Sequence, residues 1–597
     1  MSWLKKILLV YPEIPKNTYW SFKYTLRFIN RVTGLPPLGL ITMAALLPDR
    51  YELKLVDMNV EPLEQSHVEW ADAVFVSAMI IQKESLRKVT RLCRKVNKPV
   101  VAGGPYPTSS YQEIEGVDHF VLGEAETVLA DFLADFENKT ADKIYRAKHK
   151  PDITEPVLPR FDLLKMDRYS SMAVQYSRGC PFHCEFCDIW IMYGNKPRLK
   201  SAASVVREID TLYRLGWRDS IFMVDDNFIG NKTRVKKELL PAIIKWEREN
   251  NFVYKFYTEA SINMAADPEL MDKMSAAGFD QVFVGIETPS KEALSETGKN
   301  QNLKCDLKEA VQTIQGHGIE VTAGFILGFD SDTEDIFERQ IAFIQEAGIP
   351  KAMVGILTAL PGTKLYQRLE KEGRLTEIDI SGSNTHNMGT NIVTTMSPET
   401  LKEGYKKVLG TLYDATLKNY FTRCDTLLSR LQHTGYRQRH VRFHEIKALL
   451  KSLIIQPFTP YGGQYVKFIS RNLIKRPHLF AEVITHAVMG HHFHIITQET
   501  LKVDVASSLL DDIYKKTRSY IGHQADLKKA ASALQRWRLA EGWESCKVGF
   551  EGVKSVIDHV HKDFRADINR KYSEIYNRTK MLFEEAERQL KLSQKPA

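Results

Sequence analysis

The stretch MAVQYSRGCPFHCEFCDIW, residues 172–190, reads as a short apolar strand that runs directly into a loop carrying Cys180, Cys184 and Cys187. Structural zinc asks for four ligands, usually as two separated pairs, whereas the next cysteine here is the distant Cys305. His183 lies beside Cys184, too close for both to complete one tetrahedron in so short a loop. Soft thiolates in this number suit a 4Fe-4S cluster whose fourth iron is left open to a substrate or cofactor. A reactive loop at the carboxyl end of a strand is the arrangement of α/β barrels. Further apolar runs follow: SIFMVD (220–225), YKFYTEA (254–260), QVFVGIE (281–287), VTAGFILGF (321–329) and AMVGILTA (352–359). Helical patterns such as SAASVVREIDTLYRLG separate them, so six strands with intervening helices predict an α/β barrel or partial barrel.

Upstream, ILLVYP (7–12), ELKLVDMN (52–59), AVFVSAM (73–79), PVVAGG (99–104) and HFVLGE (119–124) alternate with helical patterns. Continuous apolar runs suit a parallel sheet covered on both faces, hence a doubly wound, Rossmann-like domain with its ligand at the strand carboxyl ends. Asp57, Asn59, Ser77, Gly103, Gly104 and Glu124 fall at those ends. Gly103-Gly104 allows close approach of a ligand, or serves as a turn before Pro105. The proline-rich KPDITEPVLPRFD (150–162) reads as a connector, and beyond about residue 396 the pattern becomes helical to the end, with one long charged helix from about 564 to 592. The predicted organisation is 1–150, 163–395 and a helical 396–597.

Composition bounds the function classes. The 597 residues are 43% hydrophobic and 26% charged, with a formal net charge of +8 and seven cysteines. An odd, clustered cysteine set is not a disulfide framework. The apolar run near the start is too brief for a signal sequence, and the best candidate span, Phe480 to Met489, is interrupted by Glu482 and His486. A cytoplasmic protein is expected.

The C-x3-C-x2-C spacing, with Phe186 just before the last cysteine, resembles the radical S-adenosylmethionine superfamily. That resemblance implies a 4Fe-4S cluster on Cys180, Cys184 and Cys187, with S-adenosylmethionine chelated to the open iron and cleaved to a 5′-deoxyadenosyl radical. It also implies cofactor contacts from Phe186, from Asp225, Asp226 and Asn227 in MVDDNF, from Glu259 in TEASI, from Glu287 in GIETPS, and from Gly324 and Gly328 in GFILGFD. Each of these residues could instead cap a helix or close a turn.

An α/β domain ahead of such a barrel resembles the cobalamin-binding class of the superfamily. Its D-x-H-x-x-G motif corresponds here to Asp57-Met58-Asn59-Val60-Glu61-Pro62, which keeps the aspartate without the histidine or glycine. Cobalamin with no histidine on its lower face is therefore implied, against the alternative of a domain that keeps the fold and binds nothing. GGP (103–105) and GEAE (123–126) resemble the later loops of that class. Longer strings, among them YPEIPKNTYWSFKY, YSRGCPFHCEFCDIW, VDDNFIGNK and ALPGTKLY, resemble the subfamily containing the hopanoid C-2 methylases, over roughly residues 7–420.

The implied function is methyl transfer to an unactivated carbon of a hydrophobic, lipid or isoprenoid-like small molecule, in lipid biosynthesis, with flavodoxin or ferredoxin as electron donor. One alternative keeps the radical chemistry but ends in cyclisation or rearrangement. Another, of a different class, is a non-catalytic iron-sulfur or zinc scaffold. The basic run YRQRHVRFHEIKALLK (436–451) could meet phospholipid in a peripheral membrane contact or form a solvated face, and no nucleic-acid partner is expected. His486, His491, His492 and His494 could hold a metal, or mark an exposed loop or helix end.

Overall fold

The computed structural model describes residues 3–378, 388–431, 443–526 and 532–592. The segment 436–442 of the basic run lies outside the described residues. By internal contacts the chain forms two compact units, Met1–His492 and Phe493–Ala597.

The first unit opens with strands β1 (Lys6–Tyr11), β2 (Glu52–Asp57), β3 (Ala73–Ser77), β4 (Val100–Gly103), β5 (His119–Leu122) and β6 (Ile144–Arg146). They pair in the order β2-β1-β3-β4-β5-β6, all parallel, so the chain reverses direction across the sheet between β1 and β3. Ile7, Leu8, Leu9 and Val10 are buried on both faces of β1, as their uninterrupted apolar run requires.

The second sheet begins with β7 (Ser171–Val174). A two-stranded antiparallel pair, β8 (Ser177–Arg178) and β9 (Arg198–Leu199), then brackets the cysteine loop. The sheet resumes with β10 (Ser220–Met223), β11 (Phe256–Glu259), β12 (Phe279–Glu287), β13 (Glu320–Leu327) and β14 (Ala352–Ile356). Its order, β14-β13-β12-β11-β10-β7, is parallel throughout and leaves β14 and β7 as edges, so the barrel is partial.

An unpaired edge needs cover. Helices Pro398–Leu412 and Lys418–Arg430 supply it at β14: the Tyr413 hydroxyl accepts from Ala352 N (3.1 Å) and donates to Ala352 O (2.9 Å), while Tyr405 OH donates to Val354 O (3.2 Å). Arg423, fully buried, donates to Ile349 O at 2.9 Å and to Gln345 Oε1 at 2.7 Å.

In the second unit, helices Ser532–Asp558 and Arg565–Leu592 and the later part of Phe480–Asp526 enclose a core of Ala506, Leu510, Phe550, Val553, Ile557, Ile568 and Ile575. Among the described residues no helix is long and apolar enough to cross a membrane.

Candidate active site

Alternation along the barrel strands separates two faces. Met223, Thr258, Val282 and Val284 are buried, whereas Phe222, Tyr257, Glu259, Phe283 and Gly285 keep partial exposure on the inner side. Phe222 stacks on Tyr257 with ring centroids 4.7 Å apart, and Trp20, from the segment after β1, sets its edge against Phe283 at 5.3 Å. The inner wall is thus aromatic below and acidic above.

The cysteine loop starts where β7 ends. Gly179 turns it at a positive φ of 97°, in contact with Gly194: a Cβ there would stand 2.6 Å from Gly194 O. Glu185 N donates to Thr297 O and Leu365 N to Glu185 O, and Arg368 holds the Glu185 carboxylate with two donors (2.7 and 3.2 Å). All three thiols are free. Burial raises the Cys180 thiol pKa and pushes that of Cys187 to about 12, opposed by backbone N–H groups of Phe182 and Ile189 and, at Cys180, by the Asn227 side chain. Gln301 Nε2 reaches Cys184 Sγ at 3.7 Å. Buried thiols met by N–H donors suit a group that spreads thiolate charge. Among the described residues no group of three or more His, Cys, Asp or Glu side chains is placed to hold a single metal ion.

Two charged groups flank the loop, an ion pair and a cluster of acids. On one side Lys299 Nζ lies 2.6 Å from Glu287 Oε1 and 5.7 Å from the Phe186 ring. Burial pulls the Lys299 pKa down, but the charges of Glu287, Cys184 and Cys187 hold it above the usual lysine value. Glu287 takes a positive φ of 67° at a bulge in β12. A Cβ at Gly285 would stand 2.3 Å from Glu287 Oε1 and 2.7 Å from Lys299 Nζ, so glycine there makes room for the ion pair.

On the other side are Asp225, Asp226 and Glu259. Asp225 is spent on the chain: its carboxylate accepts from Tyr176 N (3.1 Å), Ser177 N and the Ser177 hydroxyl, fixing the entry to the loop. Burial raises its pKa to about 6. Asp226 is pushed to about 7 by burial and by Asp225, and Glu259 to about 8 by burial and then by Asp226 and Asp225. Asn227 accepts from Ser261 N at 3.3 Å. A cation placed between these acids would relieve both burial and mutual repulsion.

The remaining barrel candidates lie differently. Gly324 rests over Phe283, with Phe283 Cζ 2.9 Å from where a Cβ would be. Gly328, at a φ of 98°, makes a turn whose N–H donates to Asp332 Oδ2 (2.9 Å) and which packs on Leu401.

In the first sheet, Asp57 binds Asn59 N (2.9 Å) and Nδ2 (2.7 Å) through Oδ1 and Tyr169 OH (2.9 Å) through Oδ2. Asn59 Oδ1 accepts from Ile14 N at 2.8 Å, so the side chain standing at the histidine position is occupied by its own protein. Ser77 is half-buried at the end of β3; a Cβ on Gly104, at a φ of 91°, would stand 2.5 Å from Ser77 Oγ, and one on Gly103 3.0 Å from Val121 O. Gly104 is thus favoured by its left-handed φ, and Gly103 packs tightly at the end of β4. Glu124 faces the barrel: it takes Arg178 at 2.6 Å and Arg198 through two donors at 2.7 and 3.0 Å. These arginines pair across β8 and β9 at the root of the cysteine loop.

Lys299, Gly285, Arg178, Arg198 and Trp20 were not predicted. Arg178, in the SRGC string beside the first cysteine, is the one that sequence position could have flagged.

His486, His491 and His492 lie within helix Phe480–Asp526, not in a loop or at a helix end, and turn to separate partners: Glu320 Oε2 at 3.6 Å, Tyr461 OH at 2.6 Å and Tyr19 O at 3.0 Å. His494, on the same helix, belongs to the second unit.

Residues 25–133 match the B12 binding domain, 174–344 the radical SAM superfamily and 363–504 a domain of unknown function, DUF4070. An uncharacterized methyltransferase of Synechocystis sp. is 43% identical over 411 residues, 68% of this chain and 76% of that protein. A hopanoid C-2 methylase of Rhodopseudomonas palustris is 32% identical over 506 residues, 83% of this chain and 94% of that protein. Among solved structures, the fold resembles the cobalamin-dependent S-adenosylmethionine radical enzyme OxsB with aqua-cobalamin and S-adenosylmethionine bound, at 16% identity and TM-score 0.55, over 84% of this chain and 80% of that one. It also resembles the radical S-adenosylmethionine methyltransferase TsrM from Kitasatospora setae, at 16% identity and TM-score 0.50, over 68% and 85%. Such identities speak to the fold alone. Relatedness this extensive to the two methyltransferases means that the chain belongs to the cobalamin-binding radical S-adenosylmethionine enzymes, in the subfamily that includes the hopanoid C-2 methylases.

Proposed function

We propose that this enzyme transfers a methyl group to an unactivated carbon of a hydrophobic, lipid or isoprenoid-like substrate. The observation that carries the reading is the set of partly exposed aromatic rings on the barrel strands that lead to the cysteine loop, Phe222 stacked on Tyr257 and Phe283 met by Trp20, which offer a substrate apolar surface and little hydrogen bonding. Cys180, Cys184 and Cys187 would hold the 4Fe-4S cluster, with Gln301 and the Phe182 and Ile189 N–H groups compensating their charge. Asp226 and Glu259 would receive the cationic part of S-adenosylmethionine, and Lys299 its carboxylate. Ser77 and the Gly103-Gly104 turn would line the corrin site, with Asn59, bound to Ile14 N, standing where the class motif carries its histidine. When bound, the cluster supplies the electron that breaks the sulfonium bond and the corrin carries the methyl group. That electron calls for an external donor such as flavodoxin or ferredoxin. A hydrophobic substrate also implies peripheral contact with a membrane.

Anaerobic reconstitution tests the reading. Cluster and corrin absorbance, deoxyadenosine formation, and transfer of labelled S-adenosylmethionine methyl into a lipid product are expected. Deoxyadenosine without label in the product would move the enzyme to cyclisation or rearrangement, and no reductive cleavage at all would leave only a scaffold. Cys184→Ala is expected to abolish the cluster and deoxyadenosine formation; persistent cleavage would reject the ligand set.

A further inference from the structure

Helix Phe443–Ile455 turns its apolar side outward. Ala448 and Ser452 are buried, and the Ser452 hydroxyl lies 2.8 Å from Tyr465 OH. Ile446, Leu450, Leu453 and Ile454, at the i, i+4, i+7 and i+8 spacing of one stripe, are exposed, Ile454 to 71%. Phe458, in the turn that follows, is 88% exposed. A contiguous apolar patch of this kind on a protein surface marks an interaction site.

The surrounding charge says what covers it. Between residues 443 and 476 the sequence holds Lys447, Lys451, Lys467, Arg471, Lys475 and Arg476 against the single acid Glu445; Arg471 pairs with Asp425 at 2.6 Å, and Lys447, Lys467 and Lys475 are exposed. A second copy docked on this face would oppose one basic surface to another. An anionic lipid surface supplies the missing charge and accepts the apolar stripe at the headgroup boundary. We propose that helix Phe443–Ile455 and the Phe458 turn lie on an anionic bilayer, with the stripe inserted.

The same region adjoins the segment that completes the chamber wall. Lys451 Nζ donates to Asn30 Oδ1 (2.5 Å) and Arg27 O (3.2 Å), and His491, held by Tyr461, meets Phe28 at 5.4 Å. Trp20 lies on that segment, against Phe283. A bilayer on the helix would therefore stand next to the segment that carries Trp20 to Phe283, on the side from which a membrane-dissolved substrate would come. This last step rests on the hydrophobic-substrate reading; the membrane contact does not.

Flotation of the full chain with vesicles of phosphatidylcholine containing about a third phosphatidylglycerol tests the contact, since lipid anionic charge and buried apolar area both set such binding. Strong binding is expected there, weak binding to pure phosphatidylcholine, and a loss of at least about 100-fold in Leu450→Ser/Ile454→Ser/Phe458→Ser, each substitution removing a side chain from the apolar phase. All three sites are exposed, so circular dichroism should be unchanged. Equal flotation of the triple variant would overturn the proposal. So would absent flotation together with a dimer in sedimentation that the variant abolishes, which would make the face a self-association surface. Neither result depends on the radical reaction, so failure here is distinct from failure of the proposed function.

Discussion

Glu124→Ala removes one carboxylate that serves two arginines. Its side chain is 5% exposed, and those of Arg178 and Arg198 are 11% and 20% exposed. At the observed 2.6–2.7 Å, one ion pair attracts by about 6 kcal/mol at an effective dielectric near 20. Desolvation offsets much of that while both partners remain. Removing the carboxylate leaves Arg178 to Glu126, at 2.8 Å, and Arg198 to the Pro151 and Tyr193 carbonyls, at 2.9 and 3.1 Å, so the cost is that of lost charged hydrogen bonds, about 1.5–3 kcal/mol. The loss should appear locally, because Arg178 sits two residues before Cys180 and Arg198 pairs with it across β8 and β9. Hydrogen exchange of the amides from 178 to 187, under conditions where the chain stays folded, should accelerate roughly 10- to 10²-fold, one decade for each 1.36 kcal/mol. Amides of β1, in a separate core, should not change. Glu124→Gln, which keeps an acceptor but loses the charge, should fall between. Exchange within threefold of the parent would refute the brace. Lost cobalamin affinity with protection unchanged would instead assign Glu124 to the corrin.

Glu259→Gln should change the pH dependence of stability. With its folded pKa raised to about 8, the group favours folding fully below its ordinary value near 4.5, and this contribution is lost as pH rises through about 8. The chain free of S-adenosylmethionine should therefore lose stability, on the order of a few kcal/mol, between pH 5 and 8.5, and the variant should lose measurably less in urea titrations; parallel curves would reject the shift. Gly285→Ala should displace the Lys299–Glu287 pair and cost about 1–3 kcal/mol, with iron retention after reconstitution reduced; full retention and unchanged stability would show that the wall can give way. Gly404→Ala puts a Cβ 2.0 Å from the Phe337 ring, between helices Pro398–Leu412 and Ile336–Ala347, and should destabilise by at least about 2 kcal/mol without altering cluster absorbance.

The strands were legible wherever burial on both faces dictates an unbroken apolar run, as in β1, or an inner-face alternation that still ends in a charged residue, as at Glu259 in β11 and Glu287 in β12. Strand β6 escaped because its three residues, Ile-Tyr-Arg, form an edge with Ile144 40% exposed, too short and too mixed to carry a period. The outward stripe after residue 443 reads in sequence like any amphipathic helix; only the fold shows that its apolar side is the one left uncovered.

Side-chain roles were harder than positions for a physical reason. Asp225, Asp226 and Glu259 are three acids at neighbouring strand ends, and sequence gives them equal claim on a ligand. Their difference arises from what the loop needs: once Tyr176 N, Ser177 N and the Ser177 hydroxyl have taken Asp225, its charge is committed, and it raises the pKa values of the other two. Glu124 repeats the pattern across domains: it stands at the end of β5, where a corrin contact is expected, and it also takes two arginines from β8 and β9. Lys299 is the converse, a cation with no motif around it, brought to Cys184 and Cys187 by a bulge that depends on Gly285 and the positive φ of Glu287. A carboxylate already satisfied by backbone amides positions the chain, whereas one left beside like charges is pushed toward its neutral form and regains its charge beside a cation, and that distinction exists only after the strands have been brought side by side.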